Sequence, residues 1–216
     1  MSLFISFEGV EGSGKTTQIH LLADHLKSLG RSCVVTREPG GCPIADQIRH
    51  ILLHPASRGL VPMAELLLYA AARAQHVEEI IKPALSAGHI VLCDRYLDAT
   101  LAYQGYGRGL DLDLIEQLNL LAAGTVRPHA TILLDLPCRQ GLQRARQRNS
   151  HSEGPDEDRF EQESLRFHQR VQDGYLQLAR KESERFHVVS AEGEPQDIAR
   201  RIRQVVDGLL LPRRLP

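Results

Sequence analysis

Short apolar runs alternate with longer amphipathic stretches along the whole chain. Five of the runs are almost continuous in apolar residues, which is typical of strands covered on both faces. We predict these strands at residues 3–8, 32–36, 89–93, 130–135 and 186–190. The amphipathic stretches predict helices, four of which start near a proline, as suits a first helical turn. The predicted helices span residues 16–29, 43–53, 62–87, 112–123, 137–148, 160–183 and 195–211.

The order of these elements predicts an α/β fold with a doubly wound, five-stranded parallel sheet flanked by helices. We expect residues 1–216 to form a single domain, and we expect Pro83 to bend or shorten the end of the third helix. Ligands of such sheets bind at the carboxyl ends of the strands. The residues that follow each predicted strand are therefore the first candidates for a functional site.

The composition is balanced and mainly excludes other classes. The 216 residues carry a formal net charge of −1, so no global field draws the chain to nucleic acid or to a membrane surface. No apolar run is long enough to span a bilayer. The first strand begins almost at once, which leaves no room for a signal peptide. Because the four cysteines are scattered, we expect a cytoplasmic protein in which they are small buried side chains.

Residues 9–16 read G-V-E-G-S-G-K-T and match the pattern G-x-x-x-x-G-K-[ST] between the first predicted strand and helix. Glycines let consecutive backbone N–H groups curl around an anion, and the helix start points its positive dipole end at it. Lys15 adds a charge at the β- and γ-phosphates, and the Thr16 hydroxyl is placed to bind Mg²⁺. The motif predicts a P-loop NTPase-type fold that binds a nucleoside polyphosphate with Mg²⁺. The alternative is a glycine-rich turn that matches by chance.

Glu11 lies inside this loop, where a carboxylate beside phosphates is costly unless it meets a hydroxyl or a cation. It could accept a hydrogen bond from a sugar hydroxyl, or it could be a solvated spacer.

Charged residues also follow the second and third predicted strands. Arg37 precedes a Pro-Gly-Gly turn, and its guanidinium fork matches a phosphate; the alternative is a surface salt bridge with Glu38. Asp94 ends the third strand and is expected to face Mg²⁺ through water, with Arg95 reaching the same cavity. The alternative there is a structural pair between Asp94 and Arg95.

Two helical spacings predict a binding wall. Tyr69 and Arg73 are four residues apart, so an aromatic plane and a guanidinium fork share one helix face and could stack on a base and bond its exocyclic oxygen. Thr100, Tyr103 and Gln104 form a polar wall if their stretch is helical. A partly buried helix face is the alternative for either set.

The segment at about 147–159 is polar and turn-rich and is flanked by arginines, so it is either a mobile lid or an ordinary surface loop. Arg144, Arg146 and Arg148 precede it, and Arg159 follows it. An arginine that closes over a transferring phosphoryl group can supply roughly 10³- to 10⁵-fold in rate. For any one of them the alternative is a solvated basic helix. Residues 212–216 resemble a frayed tail.

Taken together, several motifs resemble those of thymidylate kinases. They are F-E-G-V-E-G-S-G-K-T-T-Q at 7–18, T-R-E-P-G-G at 36–41, D-R-Y at 94–96, and A-Y-Q-G at 102–105 followed by G-R-G at 107–109. The resemblance covers almost the whole chain, and the motifs are specific in this order.

The resemblance implies a kinase that phosphorylates thymidine monophosphate (dTMP) to dTDP with ATP and Mg²⁺ in dTTP biosynthesis, acting as a homodimer. It implies that the acceptor phosphate is held by Arg37 and Arg95, that thymine stacks on Tyr69 and bonds Arg73, and that Thr100 and Gln104 face the base. Tyr103 would exclude a 2′-hydroxyl, and Glu11 would lie near the 3′-hydroxyl. The implied ATP-binding residues are Gly9, Val10, Glu11, Gly12, Ser13, Gly14, Lys15, Thr16, Thr17 and, at the adenine, Arg144; Thr16 and Asp94 would serve the metal, and the catalytic set would be Lys15, Arg95, Arg148, Glu11 and Arg37.

One version of this family carries a catalytic arginine within the P-loop, at the position that is Gly12 here. The bacterial version places it in the lid, which Arg148 fits, with Arg144, Arg146 and Arg159 nearby. Which of these arginines reaches the phosphate stays open.

Two other functions are weighed against this one. The first is another deoxynucleoside or nucleoside-monophosphate kinase of the P-loop class. The second is a non-catalytic nucleotide-binding switch, although the chain lacks the N-K-x-D segment with which GTPase switches read guanine.

Overall fold

The computed structural model of the chain describes residues 2–149 and 158–210. Its five strands are β1 (Leu3–Glu8), β2 (Cys33–Arg37), β3 (Ile90–Asp94), β4 (Ala130–Asp135) and β5 (Phe186–Ser190). They form one parallel sheet in the order β2-β3-β1-β4-β5. The predicted doubly wound, five-stranded parallel sheet is confirmed, and only β2 and β3 are displaced by one residue from their predicted bounds.

Helices cover both faces of the sheet. The α-helices are α1 (Lys15–Ser28), α2 (Pro43–Leu53), α3 (Pro62–His76), α4 (Lys82–Ser86), α5 (Leu97–Thr100), α6 (Leu112–Ala123), α7 (Cys138–Asn149), α8 (Leu165–Lys181) and α9 (Pro195–Leu210). A 3₁₀ turn lies at Pro55–Gly59, and π-helical turns lie at Val77–Ile81 and Leu101–Gly107.

Two of the predicted helices are wrong in extent. The predicted helix at 62–87 is divided by the π-helical turn at Val77–Ile81, directly before Pro83, which lacks the N–H that would continue regular bonding. The predicted helix at 160–183 begins only at Leu165, because the Ser164 side chain caps it by accepting a hydrogen bond from the Phe167 N–H.

The alternation of side chains along β1 explains why the sheet is covered on both faces. Leu3, Ile5 and Phe7 pack against α1 and α9, whereas Phe4 points to the opposite face and contacts the Tyr96 ring at 4.9 Å between centroids. All six residues of β1 are buried, which fixes the central strand and the loop that follows it.

The strand register brings the predicted site elements to one edge. Phe7 of β1 and Arg37 of β2 are both paired with Asp94 of β3, so the ends of three neighbouring strands are level. The P-loop, Arg37 and Asp94 therefore open into the same crevice.

Three of the cysteines are buried, Cys33 is half-buried, and all four are free thiols. Within residues 2–149 and 158–210, no helix has the length and apolar character needed to cross a membrane. Most of the predicted lid (about 147–159) and the predicted tail (212–216) lie outside the described residues.

Candidate active site

One large cavity of about 1500 Å³ follows the carboxyl edge of the sheet. Of the predicted site residues, its wall contains Glu11, Gly12, Gly14, Lys15, Thr16, Thr17, Arg37, Tyr69, Arg73, Asp94, Arg95, Thr100, Tyr103, Gln104, Arg144 and Arg148. Gly9, Val10 and Ser13 lie behind the wall, where they support Lys15. The structure thus brings residues from distant parts of the chain into a single crevice.

Lys15 is buried at the start of α1. Its ammonium group donates hydrogen bonds to the Gly9 and Val10 carbonyls over 3.2 and 3.1 Å, and it lies 3.4 Å from Ser13 Oγ. Burial, together with the charge of nearby Arg95, lowers the pKa of Lys15 to about 8. A phosphate placed here would meet a cation that is already held in position.

The P-loop interlocks with α7, which carries the candidate lid arginines. A Cβ atom at Gly12 would lie 2.1 Å from the Gly141 carbonyl oxygen, and Gly12 has a φ of +68°. A Cβ atom at Gly141 would in turn lie 2.2 Å from the Glu11 carbonyl oxygen. Both positions therefore require glycine for the two backbones to approach this closely.

A hydrogen bond between Thr16 and Asp94 joins the start of α1 to the end of β3. The Thr16 hydroxyl donates to Asp94 Oδ2 over 2.9 Å, and Thr16 is exposed to the cavity. Two adjacent oxygens suit Mg²⁺, which is usually bound by few protein ligands together with phosphates and water. Within the described residues no group of three or more His, Cys, Asp or Glu side chains is placed to hold a metal ion.

Arg95 has a backbone φ of +68°, which is rare for a residue other than glycine. Its guanidinium donates to the Gly9 carbonyl over 2.9 Å, to the Tyr175 hydroxyl over 3.1 Å and to Glu11 Oε1 over 3.3 Å. The side-chain contacts of Arg95 therefore do not support the alternative, a structural pair between Asp94 and Arg95.

Glu11 is a buried acceptor and not a solvated spacer. Its Oε1 accepts hydrogen bonds from Tyr103 and Arg95, and its Oε2 lies 3.2 Å from Nδ1 of the fully buried His168. Burial alone would raise the pKa of Glu11, but His168, Arg95 and Tyr103 outweigh it and lower the pKa to about 2. The side chain is thus an ionised acceptor at the cavity wall.

Arg37 is exposed beside the cavity and pairs with Asp46 Oδ1 over 3.3 Å. The alternative of a surface salt bridge between Arg37 and Glu38 is contradicted. Glu38 is buried, with Oε2 accepting from Arg73 over 2.8 Å and Oε1 lying 3.0 Å from His76 Nδ1. An exposed ion pair such as Arg37–Asp46 is weak, so Arg37 can leave Asp46 and bind a phosphate instead.

Arg73 is almost completely buried beneath the cavity floor, at 1% exposure. Its Nε donates a hydrogen bond to Glu38, and one of the two N–H groups of Nη1 donates to Asn119. Its Nη2 donates to both the Tyr96 carbonyl and Thr100 Oγ1. A guanidinium has five N–H donors, so among the described residues one donor on Nη1 is left for a ligand. Tyr69, one helical turn earlier, lines the same part of the wall.

Glu65 on α3 is a hub that the sequence analysis missed. Its carboxylate accepts hydrogen bonds from Gln104 over 2.8 Å, from Arg108 over 3.1 Å to each oxygen, and from Arg159 over 2.6 Å. The available signal was a single acidic residue at the start of an otherwise apolar helix. His168 gave less signal, since a histidine on an amphipathic helix face is common.

The arginines around the predicted lid differ sharply in their surroundings. Arg144, Arg146 and Arg148 are exposed on α7 and line the cavity, with Arg148 Nη2 3.6 Å from Glu161 Oε1. Arg159 is buried, and it donates to the Leu52 carbonyl as well as to Glu65. The guanidinium of Arg159 is thus anchored in the protein interior, unlike those of the three arginines on α7.

Comparisons with known proteins agree with this geometry. The sequence model of the family described as "Thymidylate kinase" matches residues 7–202. The chain is 66% identical over 202 residues to thymidylate kinase of Syntrophotalea carbinolica, covering 94% of each chain. It is 58% identical over 204 residues to thymidylate kinase of Trichlorobacter lovleyi, covering 94% of this chain and 96% of that protein.

A solved structure is also similar along its whole length. The crystal structure of thymidylate kinase from Ehrlichia chaffeensis superposes with a TM-score of 0.77 at 36% identity, covering 95% of this chain and 98% of that one.

Proposed function

The chain belongs to the thymidylate kinase family, and from this premise we propose that it transfers the γ-phosphoryl group of ATP to the 5′-phosphate of dTMP, giving dTDP and ADP in nucleotide biosynthesis. The observation that carries the proposal is the continuity of the cavity from Lys15 to Arg73. Its volume of about 1500 Å³ exceeds the roughly 300–1,000 Å³ of a typical single-ligand site. Two nucleotides can therefore meet in it.

The acceptor atom of this reaction is an anionic phosphate oxygen, so no strong general base is required. Catalysis then consists of positioning two reactants that repel each other and of neutralising the transferring group. The fixed cations of the cavity, Lys15 and Arg95, supply this positive charge from a buried framework.

The donor nucleotide would bind along the P-loop. Its phosphates would replace the contacts that Lys15 now makes with its own loop, and Arg144 on α7 would lie beside the adenine. Thr16 and Asp94 would hold Mg²⁺ between the protein and the phosphates, where it neutralises charge and orients the oxygens.

The acceptor dTMP would bind on the Arg73 side of the cavity. Arg37 and Arg95 would hold its phosphate, Tyr69 would stack on the thymine ring, and the remaining Nη1 donor of Arg73 would bond O4. Glu11 would accept from the 3′-hydroxyl. The Tyr103 hydroxyl, which donates to Glu11, would leave no space for a 2′-hydroxyl.

The transferring phosphoryl group would be stabilised by Arg148. It lines the cavity from the end of α7 with a side chain that is 65% exposed, whereas Arg159 is buried. The single domain predicted for residues 1–216 is part of this proposal, and most of the predicted lid at about 147–159 lies outside the described residues.

The enzyme would act as a cytoplasmic homodimer. Large apolar side chains are exposed on α3 and α6, which pack together: Met63 at 40%, Leu67 at 51%, Leu120 at 57% and Leu121 at 84%. Exposed apolar side chains on two neighbouring helices suit an interaction site, and a two-fold axis would cover them with a second copy. The four free thiols suit a reducing compartment.

A coupled assay of ADP release on purified protein tests the reaction, with dTMP, dUMP, dCMP, AMP and thymidine offered in turn. We expect dTMP to be preferred, with weaker turnover of dUMP, because a methyl pocket is worth only about 1–3 kcal/mol. Equal turnover of dCMP or AMP would instead identify a broad nucleoside-monophosphate kinase. ADP release that no acceptor stimulates would indicate a nucleotide-binding switch.

A further inference from the structure

The amide of Gln104 can recognise a base in two opposite ways. A glutamine side chain presents a carbonyl acceptor on one side and an NH₂ donor on the other, and a half-turn exchanges them. Gln104 is 1% exposed and lies on the cavity wall, so a fixed neighbour must decide which group faces the ligand.

Glu65 makes that decision, because it can only accept hydrogen bonds. Gln104 Nε2 lies 2.8 Å from Glu65 Oε1, and the Glu65 carboxylate is fully buried between Arg108 and Arg159. Burial alone would raise the pKa of Glu65, but hydrogen bonds from Arg108 and Gln104 and the nearby guanidinium charges lower it below its ordinary value. An ionised carboxylate tolerates only the NH₂ side of the amide.

We propose that Glu65 is a positioning residue that locks the Gln104 amide with Oε1 toward the cavity, and so selects pyrimidines that carry an N3–H group. This inference rests on the proposed function. In the described part of the chain Gln104 Oε1 accepts no hydrogen bond. It is thus available to a ligand.

The neighbouring wall completes the selection. Thr100, four residues before Gln104, accepts a hydrogen bond from Arg73 Nη2 over 2.8 Å, and all three residues line the same cavity. Thymine and uracil present a C4 carbonyl beside an N3–H, which match the Arg73 donor and the Gln104 acceptor. Cytosine instead presents an amine donor beside an N3 acceptor. Its donor would face the Arg73 donor, and its acceptor would face the Gln104 acceptor.

The test compares kcat/KM for dTMP with kcat/KM for dCMP in four proteins. In Glu65→Gln, residue 65 can donate as well as accept, so the Gln104 amide is free to turn. We expect the dTMP/dCMP ratio to fall about tenfold, the worth of one misdirected hydrogen bond. Glu65→Asp keeps an acceptor-only carboxylate and should retain the ratio. Arg108→Lys loosens a Glu65 ion pair but keeps a positive charge beside the carboxylate, and it too should retain the ratio.

A folded Glu65→Gln protein with an unchanged ratio overturns the inference, as does an equal fall in Arg108→Lys. If circular dichroism shows that Glu65→Gln does not fold, the double variant Glu65→Gln/Arg159→Gln decides, since it removes a buried cation together with the carboxylate that it pairs with. The same fall in the ratio supports the inference, and an unchanged ratio overturns it. Failure of the unaltered protein to phosphorylate dTMP would instead refute the proposed function, and the two failures are distinguishable.

Discussion

Arg73 Nε donates a hydrogen bond to Glu38 Oε2 over 2.8 Å, and both side chains are buried. This pair joins the floor of the proposed thymine pocket to the loop that carries Arg37. Because Glu38 compensates a buried guanidinium, Glu38→Ala should lower the free energy of unfolding by about 3–5 kcal/mol.

The double variant Glu38→Ala/Arg73→Met provides the control, with urea denaturation as the measurement. Removing both charges should restore part of the lost stability without restoring activity on dTMP, because the donor to O4 is gone. A double variant that is less stable than Glu38→Ala would contradict this explanation.

Arg148→Ala should lower kcat by roughly 10³-fold or more, with little change in KM for dTMP, because the lost contact would form only in the transition state. Steady-state ADP assays measure both constants. Arg159→Ala is the matched comparison: it should mainly lower thermal stability, since Arg159 binds Glu65 and the Leu52 carbonyl inside the protein. A large loss of kcat in Arg159→Ala, with no comparable loss in Arg148→Ala, would place the lid charge on Arg159.

The dependence of kcat/KM for ATP on pH should show a decline above about pH 8. Lys15 in the free enzyme has a pKa lowered to about 8, so its amine loses its charge as the pH rises through this value. kcat/KM for dTMP at saturating ATP should decline only at higher pH, because bound phosphates stabilise the charged form. Identical profiles for the two substrates would contradict the assignment to Lys15.

Because of the buried Glu8 carboxylate, we expect the free energy of unfolding to fall as the pH rises. Glu8 is fully buried, and burial and Asp98 raise its pKa from 4.5 to about 7, although Tyr175 and the Tyr96 N–H bond it. The native state therefore binds more protons than the unfolded state between about pH 4.5 and pH 7, and the free energy of unfolding declines across this window.

The shift corresponds to a contribution of about 3 kcal/mol. Glu8→Gln should abolish this part of the decline, as measured by urea denaturation at pH 5, 6, 7 and 8. Glu184→Gln, at an exposed carboxylate, controls for the loss of one negative charge. If the free energy of unfolding of both variants depends on pH as it does in the unaltered protein, the buried Glu8 carboxylate is not the group that titrates.

Leu121→Glu should convert a dimer into a monomer, because Leu121 is 84% exposed at the centre of the proposed α3–α6 interface. Light scattering after size exclusion would report twice the chain mass of 24.1 kDa for the unaltered protein and the single mass for the variant. Leu29→Glu alters an exposed leucine at the end of α1 and should leave the mass unchanged. A monomeric unaltered protein would refute the dimer.

The sequence predicted the donor side of the site more fully than its interior. The P-loop is encoded by contiguous residues whose spacing sets the backbone, and β1, β4 and β5 carry apolar runs with sharp ends. Lys15 and Thr16 could therefore be located without a structure.

Residues whose role depends on distant partners could not be found in this way. Glu65 meets Arg159, which is 94 positions later, and Glu11 meets His168 on α8. From its local sequence Arg159 resembles a lid cation, because the sequence shows the charge of Arg159 but not the distant carboxylate that binds this arginine. Likewise, the alternative of a salt bridge between Arg37 and Glu38 rests on their adjacency in the chain, whereas the fold pairs Glu38 with Arg73.

The contact between Gly12 and Gly141 restricts how this enzyme could have diverged. An arginine at position 12, as in the other version of the family, would push its Cβ into the Gly141 carbonyl and displace α7 together with Arg144, Arg146 and Arg148. Acquiring the loop arginine and keeping the helical ones are thus incompatible in this backbone.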